Sequence, residues 1–296
     1  MRILLTGAAG QVGTELIPLL RELGELTAVD LKECDLASPG DIRHLVAETN
    51  PSVIINPAAF TAVNDAETKV DVARAINATA PGVLAEEARK LGAMFVHYST
   101  DYVFNGEKIG AYVESDQPAP LNMYGASKLE GEQAVAAAGG RFLILRTSWV
   151  YGPYGNNFLL TIRKLAQERE ELKIVSDQVG APTSSGQIAR ATARLVHQYA
   201  GVKDDAFPSG LYHMTAAGTT SWFGFAQAIV NGTANRKLER LLPILTEDYP
   251  TPARRPMNSV LDNTKFEKTF GFRLGDWETA TASVLQQVEA RQAVKI

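Results

Sequence analysis

The stretch Arg2-Ile3-Leu4-Leu5-Thr6, followed by Gly7-Ala8-Ala9-Gly10-Gln11-Val12-Gly13, decides how the rest of the chain is read. A short β-type run meets a glycine cluster, and Val12, Leu16, Leu19, Leu20 and Leu23 then recur along one face of a helix. In such a strand–loop–helix, Gly7 allows the tight turn. Gly10 lets the backbone approach a pyrophosphate seated on the free N–H groups of the helix start, and Gly13 permits close helix–strand packing. The spacing is Gly-x-x-Gly-x-x-Gly, and glycines alone say little. The order of strand, loop, helix, second strand over 26–29 and terminal acid is what gives the pattern weight. That acid, Asp30, stands 20 residues after Gly10, placed to accept hydrogen bonds from an adenosine ribose. A carboxylate there favours NAD, because a 2′-phosphate would meet it; Lys32 is positioned to offset this. The expected cofactor is therefore NADPH or NADH. Pro18 falls inside the first helix and should kink it.

Outward from this loop the pattern continues. A helix over 41–48 leads to a strand over 52–56 closed by Pro57, and a helical stretch over 70–90 is interrupted near Pro81. A strand over 93–97, a helix over 124–138 stopped by Gly139-Gly140, and a strand over 142–145 follow. Alternation of this kind implies parallel strands joined by right-handed crossovers. The expected α/β fold is a doubly wound, Rossmann-type parallel sheet whose ligands bind beyond the carboxyl ends of the strands. Past Tyr151 the elements shorten and prolines and glycines multiply. We expect a dinucleotide-binding domain over 1–150 and a smaller mixed α/β substrate domain over 151–296. Runs at 173–175 and 211–214 are candidates to return to the first sheet.

The composition sets bounds. The 296 residues carry 29 basic and 33 acidic side chains, a formal charge of −4, which argues against a nucleic-acid partner, since such proteins are usually basic. The single cysteine, Cys34, forms no internal disulfide and fits a reducing cytoplasm. Four scattered histidines give no zinc spacing. Nothing reaches the roughly 18–20 apolar residues of a membrane helix, and the N-terminal apolar run is too short for a signal peptide. A cytoplasmic protein, with no membrane or nucleic-acid partner, is expected.

Chemistry enters with Tyr124-Gly125-Ala126-Ser127-Lys128. Residues four apart share a helix face, so Tyr124 and Lys128 point the same way. A free phenol, with a pKa of about 10, is a poor acid–base catalyst at neutral pH; a neighbouring ammonium lowers that pKa, and the pair can then move a proton. The spacing is common by chance. Its place in a dinucleotide fold, taken here as after a fifth strand, makes it specific. Ser99-Thr100-Asp101 closes a strand where the fold puts ligands. Adjacent strand residues face opposite ways, so only one of the two hydroxyls should meet a substrate.

Together these elements resemble the extended short-chain dehydrogenase/reductase superfamily. Longer phrases narrow the match: His97-Tyr98-Ser99-Thr100-Asp101-Tyr102-Val103-Phe104-Asn105-Gly106, Pro120-Leu121-Asn122-Met123-Tyr124-Gly125, Leu145-Arg146-Thr147-Ser148-Trp149-Val150-Tyr151-Gly152, Gly180-Ala181-Pro182-Thr183 and Arg255-Pro256 before Asn258-Ser259. This set resembles the dTDP-4-dehydrorhamnose reductase family from Met1 to about residue 280. The resemblance implies Tyr124 as proton donor, Lys128 as its tuner and the holder of the nicotinamide ribose, and Thr100 as third member of a triad. It implies Gly10, Gln11 and Val12 on the pyrophosphate, Asp30 on the adenosine ribose, Asp35 and Leu36 flanking the adenine, and Ala59, Phe60 and Thr61 on the nicotinamide side. Family members often carry histidine where Phe60 stands. Thr100, Asp101 and Trp149 would contact the sugar, although a tryptophan in an apolar strand-end run is commonly core. Arg254 or Arg255 would meet the substrate diphosphate. Some members carry a metal between subunits through glutamates. Glu15 matches one such position, but one carboxylate makes no site, so no Mg2+ is expected. A homodimer is expected.

Three functions compete. Reduction of the 4-keto group of dTDP-6-deoxy-L-lyxo-4-hexulose to dTDP-L-rhamnose is favoured. A sugar-nucleotide dehydratase or epimerase of the same superfamily is second; related dehydratases follow the Thr-Asp pair with Glu, where this chain has Tyr102. The third is a non-catalytic regulatory subunit of the methionine adenosyltransferase type, which the intact Thr100, Tyr124 and Lys128 disfavour.

Overall fold

In the computed structural model residues 1–293 are described. The chain runs β1 (Arg2–Leu5), α1 (Gln11–Arg21), β2 (Glu25–Ala28), α2 (Pro39–Thr49), β3 (Val53–Asn56), α3 (Val63–Ala66), α4 (Val70–Arg74), a π-helical turn (Ala75–Thr79) and α5 (Ala80–Leu91). It continues through β4 (Met94–Thr100), a 3-10 turn (Asp101–Val103), α6 (Met123–Ala138), β5 (Arg141–Thr147), β6 (Val150–Tyr151), α7 (Phe158–Glu168), β7 (Glu171–Val175), β8 (Val179–Gly180), β9 (Thr183–Ser184) and α8 (Ser185–Tyr199). β10 (Gly210–His213), β11 (Thr220–Ser221), α9 (Trp222–Asn231), β12 (Arg240–Ile244), α10 (Thr264–Phe270) and α11 (Trp277–Ala293) complete it.

Six strands form one sheet in the order β10-β5-β4-β3-β1-β2, every pairing parallel. Successive strand residues face opposite sides. Leu4, Ile54, Phe95 and Ile144 therefore meet one helical layer, with Ile42, Val46, Leu84 and Val135 from α2, α5 and α6. Leu5, Ile55, Val96 and Leu145 meet the other, with Leu16 and Leu20 of α1 and Ile188 and Leu195 of α8. A strand covered on both faces reads as an unbroken apolar run, which is why Val53-Ile54-Ile55 carries no polar alternation. A third core gathers Tyr151, Leu159, Phe225, Trp277 and Leu285 from α7, α9, α11 and their neighbours.

Several expectations change in detail. The run at 211–214 does return, as β10 beside β5, whereas the run at 173–175 lies in β7 and pairs with β12 in a separate two-stranded sheet. α6 follows the fourth strand, β4, so Tyr124 precedes the fifth strand rather than following it. α1 stays helical through Pro18. The stretch at 70–90 does not break at Pro81 but widens just before it. Proline has no N–H to offer the carbonyl four residues back, here that of Asn77. The carbonyl of Asn77 instead faces α6 so closely that a Cβ on Gly131 would lie 2.1 Å from it.

α6 is also pinned by charge. Arg146 of β5 forms a two-pronged bond to Glu132 at 2.7 and 2.6 Å, with both residues buried and the guanidinium over the Phe104 ring. Removing one partner of a buried pair leaves a bare charge and costs about 3–5 kcal/mol, whereas replacing both with apolar groups costs far less. In urea unfolding at neutral pH, Glu132→Gln should lose that amount, and the double variant Glu132→Leu, Arg146→Met should recover most of it.

Candidate active site

The sheet order reverses at β1, which lies between β2 and β3, and ligands of doubly wound sheets bind in the crevice at such a switch point. The glycine loop leaves the carboxyl end of β1 there. Gly7 has φ +58°, and a Cβ on it would fall 2.8 Å from the Ala58 Cα. A Cβ on Gly13 would fall 2.1 Å from the Gly7 carbonyl oxygen. Gly10 caps α1 without a side-chain bond. The first N–H groups of α1, from Gln11 and Val12, thus lack intrahelical partners and, with the helix dipole behind them, suit a phosphate. This loop fits a dinucleotide.

Beside it lies an open cleft of about 540 Å³, lined by Gly7, Asp30, Asp35, Leu36, Ala59 and Ile76 among others. Asp30 accepts from the Ala9 N–H at 2.8 Å and from the Leu31 N–H at 2.8 Å. Its carboxylate therefore ties β2 to the glycine loop and keeps lone pairs over for a ribose hydroxyl. Cys34 also lines the cleft, its thiol buried and pushed up by burial and then by Asp41 and Asp35.

The segment after β3 is held by a residue that sequence reading did not single out. Asn77, fully buried in the π-helical turn, accepts from the Phe60 N–H at 2.8 Å and donates to the Phe60 carbonyl at 3.1 Å and to the Ser127 hydroxyl at 3.1 Å. It joins the expected nicotinamide-side loop to the helix of Tyr124 and Lys128. Ala59 lines the cleft, Phe60 is clamped by its backbone, and Thr61 is exposed.

Thr100, Tyr124 and Asp101 converge beyond β4. The Thr100 hydroxyl faces the Tyr124 phenol. Thr100 in turn donates to Asp101 Oδ1 at 3.0 Å and accepts from the Tyr102 N–H at 3.2 Å. Ser99, on the opposite face of the strand, has a buried hydroxyl without a partner. Burial pushes the Tyr124 phenol up to about 12, with Thr100 lowering and Asp101 raising it. Lys128 is buried and brought down to about 8 by burial, against Glu132. Its Nζ donates to the Tyr98 carbonyl at 2.6 Å and lies 3.4 Å from His97 Nε2. Lys128 and Tyr124 are thus neighbours on one helix, but the ammonium is directed at β4. The expected lowering of the phenol by Lys128 is replaced by a raised phenol governed by burial.

Trp149 has φ +47°, a backbone conformation that non-glycine residues seldom hold. Its indole stacks on Trp222 at 3.6 Å and 6°, and a Cβ on Gly180 would strike it at 2.6 Å. It is half-buried and packs against the third core. Arg255 donates to Thr251, to the Ala253 carbonyl and to Asn64, so it braces its own loop and ties it to α3; Arg254 is exposed. Asn157, also not anticipated, links Gln11 Oε1 at 2.9 Å to the carbonyls of Gly152 and Tyr154. Glu15 faces Arg190 and Arg291, and its carboxyl is raised by burial against their pull. Two guanidiniums beside one carboxylate do not fit a divalent cation, and no cluster of three or more metal-ligating side chains occurs among the described residues.

A parallel sheet with a glycine loop at its switch point and a Thr–Tyr–Lys cluster alongside defines a short-chain dehydrogenase/reductase. The model of the RmlD substrate binding domain matches residues 1–290, and the chain belongs to that family. Among its relatives, the dTDP-4-dehydrorhamnose reductase of Burkholderia thailandensis is 49% identical over 291 residues, covering 95% of this chain and 96% of the relative. That of Escherichia coli is 42% identical over 303 residues, covering 99% and 100%. A solved dTDP-4-dehydrorhamnose reductase of Bacillus anthracis in complex with NADP superposes with a TM-score of 0.90 at 36% identity, covering 97% of this chain and 99% of that one. No helix among the described residues is long and apolar enough to cross a membrane.

Asp101 makes a pH prediction. It is buried, its Oδ2 has no partner of good geometry although the Ser259 hydroxyl faces it, and burial raises the carboxyl from 3.8 to about 7 against Ser259 and Thr100. The folded state then binds this proton more tightly than the unfolded chain, so stability is lost as pH rises from about 4 to about 7. Asp101→Asn should match the parent near pH 3 and exceed it by about 2–4 kcal/mol at pH 8 in chemical unfolding.

Proposed function

We propose that the protein reduces the 4-keto group of dTDP-6-deoxy-L-lyxo-4-hexulose to give dTDP-L-rhamnose, using NADPH or NADH. The observation that carries this is the convergence of Thr100, Asp101 and Tyr124 at the end of β4 beside the dinucleotide cleft, with Thr100 donating to Asp101 Oδ1 at 3.0 Å and burial favouring the protonated phenol. The relatives named as dTDP-4-dehydrorhamnose reductases and the NADP complex of one of them support it.

When bound, the nicotinamide supplies the hydride to the carbonyl carbon. The protein does the rest. Gln11 and Val12 N–H groups hold the pyrophosphate, Asp30 the adenosine ribose, and Asp35 and Leu36 flank the adenine. Ala59, Phe60 and Thr61 border the nicotinamide. Tyr124 gives its proton to the developing alkoxide, a stronger base than a phenolate, and Thr100 steadies that oxygen. Lys128 holds the nicotinamide ribose. Asp101, with Oδ2 unpartnered, accepts from a sugar hydroxyl, and Trp149 borders the sugar. Arg254 meets the diphosphate, since Arg255 is committed to its own loop and to Asn64 of α3. Residues 1–150 serve the dinucleotide and most of 151–296 the substrate. The third core supports that division, with α8 and β10 rejoining the sheet. A cytoplasmic homodimer goes with this reading.

Dehydration is disfavoured by Tyr102. It occupies the place after Asp101, it is buried, and burial with the Asp101 charge pushes its phenol far up, which leaves no carboxyl for water elimination.

Tyr124→Phe should lower kcat by about 100-fold or more while leaving the Kd for NADPH unchanged by fluorescence titration. Near-normal turnover would remove Tyr124 from the mechanism. Lys128→Met should weaken both rate and cofactor affinity.

A further inference from the structure

α1 begins at the glycine loop, and the second half of the chain reaches back to its first residue. The loop after β6, residues 152–157, comes up beside Gln11, and Asn157 Nδ2 donates to Gln11 Oε1 at 2.9 Å. Two glycines let the loop lie this close. A Cβ on Gly152 would fall 2.2 Å from Ser185 Oγ and 3.6 Å from Gln11 Oε1. Gly155 has φ +67°, and a Cβ on it would fall 3.6 Å from Gln11 Cγ. From its other side the loop is braced by Arg291 of α11, whose guanidinium lies 3.8 Å from the centre of the Tyr154 ring and donates to the Pro153 carbonyl at 3.5 Å.

The donors and acceptors here fix how the Gln11 amide is turned. Asn157 caps α7, and its Oδ1 accepts from the Leu160 N–H at 3.0 Å. Its Nδ2 donates to the Gly152 carbonyl at 2.9 Å and to the Tyr154 carbonyl at 3.1 Å. Backbone carbonyls only accept, so the atom beside them is the amide nitrogen, which only donates. The Gln11 atom facing that nitrogen must then be the acceptor, Oε1. The one acceptor of the Gln11 side chain is therefore taken up by the loop. Its Nε2 end, with two N–H donors, meets no protein partner among the described residues.

This orientation matters at the start of a helix. The Gln11 and Val12 N–H groups have no intrahelical partner, and a diphosphate brings acceptors to them. A Gln11 side chain free to rotate can turn Oε1 toward these N–H groups, or toward the phosphate oxygens, and either opposes anion binding. Held against the loop, Gln11 has only donors left to offer.

We propose that Asn157 is a positioning residue for the cofactor diphosphate: it keeps the Gln11 acceptor bound to the 152–157 loop, so that the start of α1 offers the phosphates donors alone. Asn157 touches neither ligand in this scheme and acts through Gln11. A residue of the substrate half thus shapes the dinucleotide site of the other half. The inference rests on the diphosphate seat given under the proposed function.

The test is cofactor binding in a double-mutant cycle. Ser serves as a helix N-cap much as Asn does, so Asn157→Ser keeps the cap of α7 and removes the bond to Gln11; Asn157→Thr serves in its place should the Ser variant not fold. Fluorescence titration with NADPH should show Kd raised about 3- to 10-fold, the loss of one hydrogen bond. Calorimetry with ADP, which carries the diphosphate and no nicotinamide, should show the same factor. In a Gln11→Met background there is no acceptor to hold, and Asn157→Ser should then change neither Kd. Any fall in Tm caused by Asn157→Ser should be equal in the two backgrounds, which separates positioning from a loosened loop. An unchanged Kd in folded Asn157→Ser, or an equal rise in the Gln11→Met background, overturns the proposal. A parent that binds neither NADPH nor ADP overturns the dinucleotide reading together with it. A parent that binds both and turns over, while the cycle shows no coupling, overturns this inference alone.

Discussion

The Gly7 carbonyl oxygen occupies the place where a side chain at position 13 would begin. That contact brings the first turn of α1 against the end of β1, and much else follows from it. It sets the free N–H groups of Gln11 and Val12 over the switch point of the sheet. It also puts Gly7 against Ala58, so the loops after β1 and β3 meet and form the walls of one cleft. Asp30 secures the arrangement from β2 through the Ala9 N–H. A methyl group at either glycine would separate these elements, and the cleft exists only while they touch.

On the other side of the cleft, burial does the chemical work. Tyr124, Asp101 and Lys128 are all taken from water, and each shifts toward its neutral form: phenol, carboxylic acid and amine. Desolvation disfavours charge, so a proton donor to an oxyanion is kept loaded at neutral pH. The neighbouring charges lie deeper, in the Arg146–Glu132 pair under α6. Asn77 fixes the distance between this cluster and the loop of Phe60, and the π-helical turn gives its side chain room to reach both. Such widened turns often occur at functional sites.

The fold was legible because it rests on local signals. The glycine spacing, the acid ending β2 and the Val53-Ile54-Ile55 run each reflect one backbone requirement. The Tyr124–Lys128 spacing gave the helix face, and Asn122 caps that helix through the Gly125 N–H. What stayed hidden depends on contacts far apart in sequence. Asn77 bonds residues 17 and 50 positions away, and no local pattern distinguishes it from any other helical asparagine. Pro81 marked the disturbance but not its form, because a shift to a wider turn depends on how closely Gly131 packs. The direction of the Lys128 ammonium toward Tyr98 and His97 is likewise set by β4, which the helix spacing does not register. The run at 173–175 looked like a sheet strand because its apolar pattern suits either pairing; its partner is decided by β12, about 70 residues on.

The central claim is that hydride reaches the C4 carbonyl of a 6-deoxy-4-keto sugar nucleotide while this chain supplies the proton. The most direct measurement supplies the protein with dTDP-6-deoxy-L-lyxo-4-hexulose and NADPH deuterated at the transferable C4 position, and locates the label in the sugar by NMR. The account predicts dTDP-L-rhamnose carrying deuterium at C4 of the sugar and nowhere else. Deuterium at another carbon, or cofactor left unoxidised with the keto sugar intact, would contradict it.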